Sequence, residues 1–322
     1  MLLLLQVLLL LLLLALAAAA VQCAPESDAG SSCTAPASDH LETELRSLNL
    51  TETQRELVQR TWESAHIGSN ATLLARAKAS RLNVTAHLVY RYLQSSEWVG
   101  HYHGRQINES IVETVEWRHG FDFASLDAGE FSGLVKQGLA YVAPVLDNKG
   151  RSIIYVRGSH EGKRETPETY LRLLMYSVER ADRLSVDAGA GGRGEFVAMI
   201  NLKNFSPLKC PPMSSMIEGI ALLKKHYPYR LGAIFFVNAG IAFDWLWRVF
   251  KPLIPARALR KTFFLTSREL SEGLVLEREM GRANVEIDFG GTRAPQPLVT
   301  DDDYDNYVAT GFWKPRPAPA AL

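Results

Sequence analysis

The spacing of apolar residues changes near residue 120 and divides the chain into two parts. Before this point apolar positions recur at helical spacing, which predicts helices over 52–65, 71–80, 84–95 and 107–118. Beyond it, short runs of β-branched and aromatic residues predict buried strands at 153–156, 196–200, 233–237 and 262–265. Helical patterns separate these strands over 167–183, 213–227 and 241–250. The alternation predicts a mostly parallel sheet with right-handed crossovers.

The strongest local pattern is the strand Ala233–Val237 followed by an unusually apolar helix, Ile241–Phe250. Apolar residues at i, i+4 spacing predict a broad oily face formed by Ile241, Trp245, Val249, Leu246 and Phe250. Pro252 and Pro255 end the helix. Trp245 and Trp247 cannot share one face, so one of them is expected to meet solvent, a partner or a bilayer. A helix this aromatic beside a buried sheet suits an apolar cavity with a movable cover.

Several short motifs occur in a fixed order along this part of the chain. They are Asp147-x-x-Gly150-Arg151, Tyr227-Pro228-Tyr229-Arg230, Val237-Asn238-Ala239, Phe250-Lys251-Pro252-Leu253 and Phe289-Gly290-Gly291. As an ordered set, with Glu116-Trp117-Arg118 before them, they resemble the Sec14-like or CRAL-TRIO lipid-binding family from about Leu88 to Gly291. Asn201 and Asn204 replace the family's usual Asp and Gly, which indicates a divergent member.

The resemblance implies an α/β fold with an N-terminal helical subdomain, then a mostly parallel sheet flanked by helices, and an apolar lipid pocket closed by a gate helix. The predicted pocket residues are Tyr170, Phe196, Ala198, Ile200, Phe235, Val237, Phe243, Leu246, Phe250 and Phe263. The predicted gate residues are Ile241, Trp245, Trp247 and Val249. The implied function is binding a hydrophobic ligand and transferring or presenting it between membranes. The alternative is a non-transferring adaptor that binds a protein partner.

Headgroup recognition is where the chain departs from the family. In phosphatidylinositol-binding members three polar residues hold the headgroup. Here the segment Tyr92–Glu97 lacks the first, a base, and Tyr229 replaces the second, a Glu. Lys261 matches the third, so the headgroup candidates are Lys261, Tyr229 and Arg230. The expected ligand is a phospholipid, with phosphatidylinositol left open, or a less polar lipid such as a sterol or a tocopherol-like molecule.

Composition narrows the range of partners. Apolar residues make up 47% of the 322 residues, enough for one sizeable core. Lys plus Arg equals Asp plus Glu, at 35 each, which argues against a nucleic-acid binder because such proteins need a basic surface. We therefore expect a monomer with a lipid ligand and transient contact with a membrane surface.

No residue constellation points to catalysis. The segment Gly189–Gly194 lacks the Gly-Lys-Ser/Thr of a phosphate-binding loop, and no Gly-x-Ser-x-Gly elbow occurs. His101 and His103 have no carboxylate or Cys partner at ligand spacing. We expect neither enzyme activity nor a metal or cofactor.

The start of the chain indicates a secretory route. Residues 1–22 are almost all Leu, Ala and Val without charge, typical of a signal peptide or an uncleaved membrane anchor. Glycosylation sequons occur at Asn49, Asn70, Asn83 and Asn108. The predicted location is the secretory lumen or outside the cell, and a membrane-anchored or cytoplasmic protein is the alternative.

The predicted organisation has five segments. They are a signal peptide or anchor (1–24), a disordered spacer (25–50), an N-terminal helical subdomain (51–122), a CRAL-TRIO lipid-binding domain (123–293) and an irregular acidic and Pro/Ala tail (294–322).

Overall fold

The computed structural model describes residues 41, 44–46, 48, 50–64, 70–126, 129–158, 165–187, 194–206 and 210–294. The predicted signal or anchor segment, Asn49 and the tail beyond residue 294 lie outside these residues, and so do five residues of the glycine-rich connector, 189–193. Within the described ranges, no helix has both the length and the hydrophobicity that crossing a bilayer requires.

Four helices and a small hairpin precede the main sheet. The helices are α1 Glu52–Ser64, α2 Ala71–Ala79, α3 Ala86–Ser95 and α4 Ile107–Gly120, and the antiparallel strands β1 His101–Tyr102 and β2 Arg105–Gln106 lie between α3 and α4. Side-chain caps begin α2 and α3, because Asn70 and Thr85 accept hydrogen bonds from the amides of Leu73 and Leu88. The four predicted helices are confirmed, and the hairpin is an addition.

The folded region begins before residue 50. Leu45 and Leu48 are buried and pack in one apolar cluster with Val58 of α1. The Glu44 carboxylate accepts a hydrogen bond of 2.7 Å from the Ala86 amide. A spacer that extends to residue 50 is therefore too long, because Leu45 and Leu48 already belong to an apolar cluster of the folded region.

The second part is a five-stranded sheet with helices between its strands. The strands are β3 Ala140–Leu146, β4 Ser152–Arg157, β5 Phe196–Asn201, β6 Leu231–Val237 and β7 Thr262–Leu265. The helices are α5 Ser132–Lys136, α6 Pro167–Asp187, α7 Met213–His226, α8 Ile241–Phe250, α9 Ala256–Leu259, α10 Ser267–Glu272 and α11 Leu274–Met280. The strand order is β3-β4-β5-β6-β7, with β3 antiparallel to β4 and the other neighbours parallel. The predicted α/β fold with a mostly parallel sheet is confirmed, and β3 was not predicted.

The strand order decides where the helices lie. Because β4 to β7 are parallel and sequential, right-handed crossovers place α6, α7 and α8 on the same face of the sheet. The opposite face packs against the C-terminal segment, where Phe289 lies 4.4 Å from Tyr155, centroid to centroid. One face is thus closed by a short segment, and the other is covered by three long helices that leave room beneath them.

The helical part packs on α7 through a buried histidine. Trp117 of α4 stacks on the His226 ring, with centroids 4.1 Å apart and ring planes 6° apart. The His226 Nδ1 atom is 2.9 Å from the Thr114 hydroxyl, which is 2.6 Å from the Tyr92 hydroxyl. Burial lowers the pKa of His226 to about 4, so its ring is neutral in the folded protein near pH 7.

Acidification should therefore weaken the fold through His226. The folded pKa lies below the ordinary 6.5, so the stability contributed by the neutral ring is present above pH 6.5 and is lost as the pH falls through about 4. Between pH 7 and pH 5 we expect a loss of about 2 kcal/mol from this group. The free energy of unfolding of His226→Gln, measured in urea, should lack this part of the pH dependence. Exposed His119→Gln is the control, and equal pH slopes for His226→Gln and wild type would contradict the assignment.

Candidate functional site

A cavity of about 580 Å³ lies between the sheet and helices α6, α7 and α8. The strands contribute alternate side chains to its wall, namely Ile154, Val156, Phe196, Ala198, Ile200, Ile234 and Phe236. The helices contribute Tyr170, Leu173, Met216, Ile220, Phe243, Leu246, Trp247 and Phe250. The wall is predominantly apolar, and the volume is in the range of pockets that enclose small hydrophobic ligands.

Seven of the ten predicted pocket residues line this cavity: Tyr170, Phe196, Ala198, Ile200, Phe243, Leu246 and Phe250. Three do not. Phe235 and Val237 are fully buried on the opposite face of the sheet, and Phe263 stacks on Phe235 there at 4.8 Å. Side chains of a strand alternate between faces, so Ile234 and Phe236 point to the cavity instead.

The face of α8 that covers the cavity agrees only in part with the predicted face, which shares Leu246 and Phe250 with it. Phe243, Leu246, Trp247 and Phe250 line the cavity at i, i+3, i+4 and i+7. Ile241 is 90% exposed, and Val249 is half-buried without lining the cavity. The Trp245 side chain lies outside the described ones. The predicted placement of Ile241 and Val249 on this face is wrong, because the helix directs Phe243 and Trp247 to the cavity beside Leu246 and Phe250.

An aromatic cluster holds α8 on the sheet. The Phe236 ring lies 4.9 Å from Phe243 and 5.0 Å from Phe264, and Trp247 lies 4.9 Å from Phe264, centroid to centroid. Phe264 is a residue that sequence reasoning missed in favour of its neighbour Phe263. The contacts are apolar and ring-to-ring, so they hold the helix without fixing it by directional bonds.

The chain before α8 turns at a polar anchor. Asn238 has a left-handed backbone with φ 56°, and its side-chain amide donates to Asn201 Oδ1 at 3.0 Å. Asn201 donates in turn to the Asp288 carbonyl at 2.7 Å. These bonds fix the end of β6, and Gly240 follows as the residue before the first turn of α8.

The other end of the cavity, beside the amino ends of the strands, is polar. Tyr229, also left-handed at φ 56°, accepts a hydrogen bond from the Gln94 side chain at 3.3 Å. Lys261 Nζ donates to the Leu231 carbonyl at 2.7 Å, lies 3.8 Å from Glu195 and sits 5.4 Å from the Tyr229 ring centroid. Burial lowers the pKa of Lys261, and Glu195 opposes that shift.

A second group of charges adjoins Lys261. Arg230 lines the cavity and pairs with the Asp182 carboxylate, and it donates to the Gly194 carbonyl at 3.3 Å. Arg91 is 3.7 Å from the same carboxylate and is buried. Burial lowers the pKa of Arg91 to about 9, against the raising effect of Glu195. The polar end thus contains more cationic groups than carboxylates. Arg230 already forms an ion pair with Asp182.

The remaining sequence candidates are spread over the surface. Asn70 and Asn83 are exposed, whereas Ser110, the hydroxyl residue of the Asn108 sequon, is buried. Glycosylation stays a prediction at all four sequons. In the described residues, no group of three or more His, Cys, Asp or Glu side chains is placed to hold a metal ion.

Comparison with known proteins identifies the fold family. Residues 136–291 match the CRAL/TRIO domain family. This part of the chain is a CRAL/TRIO domain. It contains all five strands from Ala140 onward and the helix α8 that covers the cavity. The predicted Sec14-like resemblance is thereby confirmed.

Curated relatives of this chain are about a quarter identical to it over the aligned residues. A CRAL-TRIO domain-containing protein of Schizosaccharomyces pombe is 25% identical over 212 residues, 66% of this chain and 19% of the relative. The SEC14 cytosolic factor of Candida glabrata is 26% identical over 155 residues, 45% of this chain and 50% of the relative. The phosphatidylinositol/phosphatidylcholine transfer protein SFH14 of Arabidopsis thaliana is 26% identical over 212 residues, 58% of this chain and 34% of the relative.

The aligned part is therefore at most half the length of these relatives. Among solved structures, the crystal structure of Sfh5 is 15% identical with a TM-score of 0.41, and the match covers 70% of this chain and 82% of that chain.

Proposed function

We propose that this protein binds a lipid in the cavity beneath α8 and transfers or presents it at membranes. The observation that carries the proposal is the apolar cavity of about 580 Å³ inside a CRAL/TRIO domain, a type of domain whose family members bind and transfer lipids. The similarity to SFH14 of Arabidopsis thaliana, a phosphatidylinositol/phosphatidylcholine transfer protein, supports the same ligand class. Binding and transferring a lipid require no covalent bond to be made or broken.

The energetics of carriage require such a cavity. Each buried CH₂ is worth about 0.8 kcal/mol, so a long acyl chain loses on the order of 10 kcal/mol when it leaves a bilayer for water. A carrier must offset nearly all of this with apolar contacts. The alternate strand residues on one side of the cavity and the apolar residues of α6, α7 and α8 on the other offer those contacts.

Release requires the cover to open where lipid is present. Helix α8 starts after Gly240 and is followed by Pro252 and Pro255, so its two ends are natural points of movement. Exposed Ile241, Arg248 and Lys251 lie on or next to this helix, and no acidic residue occurs in the sequence between Asp244 and Glu269. We propose that this outer surface contacts the membrane, since apolar and basic side chains suit an anionic interface.

The ligand is proposed to carry an anionic headgroup. Lys261, Arg91 and Arg230 lie at the polar end of the cavity beside Asp182 and Glu195, so this end has an excess of positive charge. An uncharged sterol would not balance the excess of three cations over two carboxylates. A phosphate would supply one through hydrogen bonds from charged donors.

Replacing Lys261 with methionine tests this headgroup. The variant keeps the aliphatic stem and loses the ammonium group, and a lost charge-assisted bond should cost roughly 1.5–3 kcal/mol in phospholipid binding. Binding of an uncharged sterol should change little. The measurement is the affinity of each variant for a fluorescent phosphatidylinositol and a fluorescent sterol, with exposed Arg260→Met as control. Equal losses for both ligands would show that Lys261 acts through the Leu231 carbonyl as a structural residue.

The lipid-carrier proposal itself is tested by extraction. The protein, expressed in eukaryotic cells and purified without detergent, should release close to one lipid per chain into organic solvent, as identified by mass spectrometry. It should also move that lipid between vesicles. A folded protein that carries no lipid and takes none up would refute carriage and support the adaptor.

A further inference from the structure

The segment that follows the cover helix is tied to the helical part by one arginine. Arg257 of α9 donates from Nη1 to the Gln94 carbonyl, at the end of α3, with a distance of 2.8 Å. Its guanidinium carbon lies 4.5 Å from the centroid of the Tyr229 ring, and Gln94 donates to the hydroxyl of that same ring. Arg257, Gln94 and Tyr229 thus form a closed set of contacts, here called the latch. It lies seven residues beyond the last residue of α8.

The latch holds a full positive charge with neutral partners. A backbone carbonyl accepts one bond from the guanidinium, and the tyrosine ring offers its face. The headgroup of an anionic lipid can accept two parallel bonds through its phosphate and, unlike zwitterionic phosphatidylcholine, has a net negative charge, which makes it a stronger partner for arginine than either. Arg257 is half-buried at the cavity wall, so its charge is within reach of a headgroup that arrives at this edge.

We propose that Arg257 makes opening of α8 selective for membranes that contain anionic lipid. In the closed protein the latch restrains the segment after α8. At an anionic surface the headgroup of an anionic lipid takes the guanidinium from the Gln94 carbonyl and the Tyr229 ring, and the restraint on α8 is released. Arg257 is a positioning residue, because it acts through the segment that carries the cover. The inference rests on the proposed function and adds to it the kind of membrane at which the protein opens.

Amide hydrogen exchange in α8 tests this without any lipid transfer. The full chain is incubated with phosphatidylcholine vesicles, with and without phosphatidylserine. In the wild type, phosphatidylserine should raise exchange in α8 by about tenfold, the factor expected from loss of one charge-assisted bond. In Arg257→Gln, exchange should already be faster by about the same factor on neutral vesicles, and phosphatidylserine should add little.

Two further variants separate restraint from charge. Tyr229→Leu keeps the Arg257 charge and removes the ring, so exchange on neutral vesicles should rise while a response to phosphatidylserine remains. Exposed Arg260→Gln makes the same change in charge near the latch and should behave as the wild type. Inorganic phosphate added to neutral vesicles should leave α8 closed.

The outcomes against the proposal are distinct. If Arg257→Gln loses the phosphatidylserine response but keeps slow exchange on neutral vesicles, Arg257 is a docking contact and no latch exists. Faster exchange in every helix would show a general loss of stability. If inorganic phosphate alone raised exchange in α8, the latch would respond to a soluble anion and not to a membrane. The experiment measures exchange in α8 directly. It therefore tests the latch even if the protein proves to carry no lipid.

Discussion

Replacing Ala198 with tryptophan should abolish lipid binding while the protein stays folded. Ala198 lies in the middle of β5, between Ile154 of β4 and Ile234 of β6, and all three side chains face the cavity. An indole at this position points into empty space of about 580 Å³ rather than into packed core. The stability cost should therefore stay within the roughly 1–3 kcal/mol typical of overpacking, whereas the ligand loses the centre of its site.

The controls for Ala198 use the alternation of the strand. Val197, one residue earlier, points to the opposite face and is fully buried, so Val197→Ile adds bulk to the core without entering the cavity. It should lower stability and leave lipid binding unchanged. Ala198→Leu should weaken binding by an intermediate amount. Lipid content after organic extraction and urea unfolding measure the two effects, and full lipid occupancy in Ala198→Trp would place the ligand elsewhere.

The strands show which features of the fold can be predicted from the sequence pattern and which cannot. Four runs of apolar residues predicted β4 to β7 because such runs are typical of strands buried on both faces. The same property hides which residues face the cavity, since alternation of polar and apolar residues is absent. Phe235, Val237 and Phe263 were assigned to the pocket for this reason, and Phe264, which packs against Trp247 of α8, was missed. Only the register of the folded sheet separates the two faces.

The missed strand β3 has a physical explanation in its own residues. It contains Pro144, which cannot donate to a neighbouring strand and argues against a strand interior. In the structure β3 is at the edge of the sheet, and its pairing with β4 is irregular between Val142 and Leu146. The edge position tolerates the proline because, in the described part of the chain, β3 pairs on one side only.

The polar end of the cavity depends on residues far apart in the chain. Lys261 was predicted because it matches a family motif, but Arg257 was not, and Gln94 was noted only as part of the segment Tyr92–Glu97, which lacks the family's base. Their contact joins α3 to α9 across 163 residues. No local pattern predicts such a pair. By contrast, the bounds of α8 were predicted correctly, because Gly240 and Pro252 mark its ends in the sequence itself.

The largest loss of stability is expected from removing the partner of a buried arginine. Arg118 of α4 is 2% exposed and donates two hydrogen bonds of 2.8 Å to the Glu179 carboxylate of α6. It also donates to the Ser80 carbonyl, and its guanidinium carbon lies 4.0 Å from the Phe123 ring centroid. Burial acts to lower the pKa of Arg118, but Glu179 and Tyr227 outweigh it and raise the pKa above its ordinary value.

Glu179→Leu should therefore cost about 3–5 kcal/mol of unfolding free energy, because it leaves a buried charge without its counter-charge. That is a large part of the 5–15 kcal/mol that stabilises an ordinary domain. Arg118→Met should cost less, since Glu179 is partly exposed and keeps the Tyr227 hydroxyl, which donates to it at 2.8 Å.

The double variant Arg118→Met with Glu179→Leu should recover much of the loss, because two apolar side chains then replace the pair. Urea unfolding of the four proteins forms a double-mutant cycle that yields the coupling energy directly. If the losses of the single variants simply add in the double variant, Arg118 and Glu179 are not coupled, and the joint between the helical part and the cavity helices must depend on apolar packing such as that of Trp117 on His226.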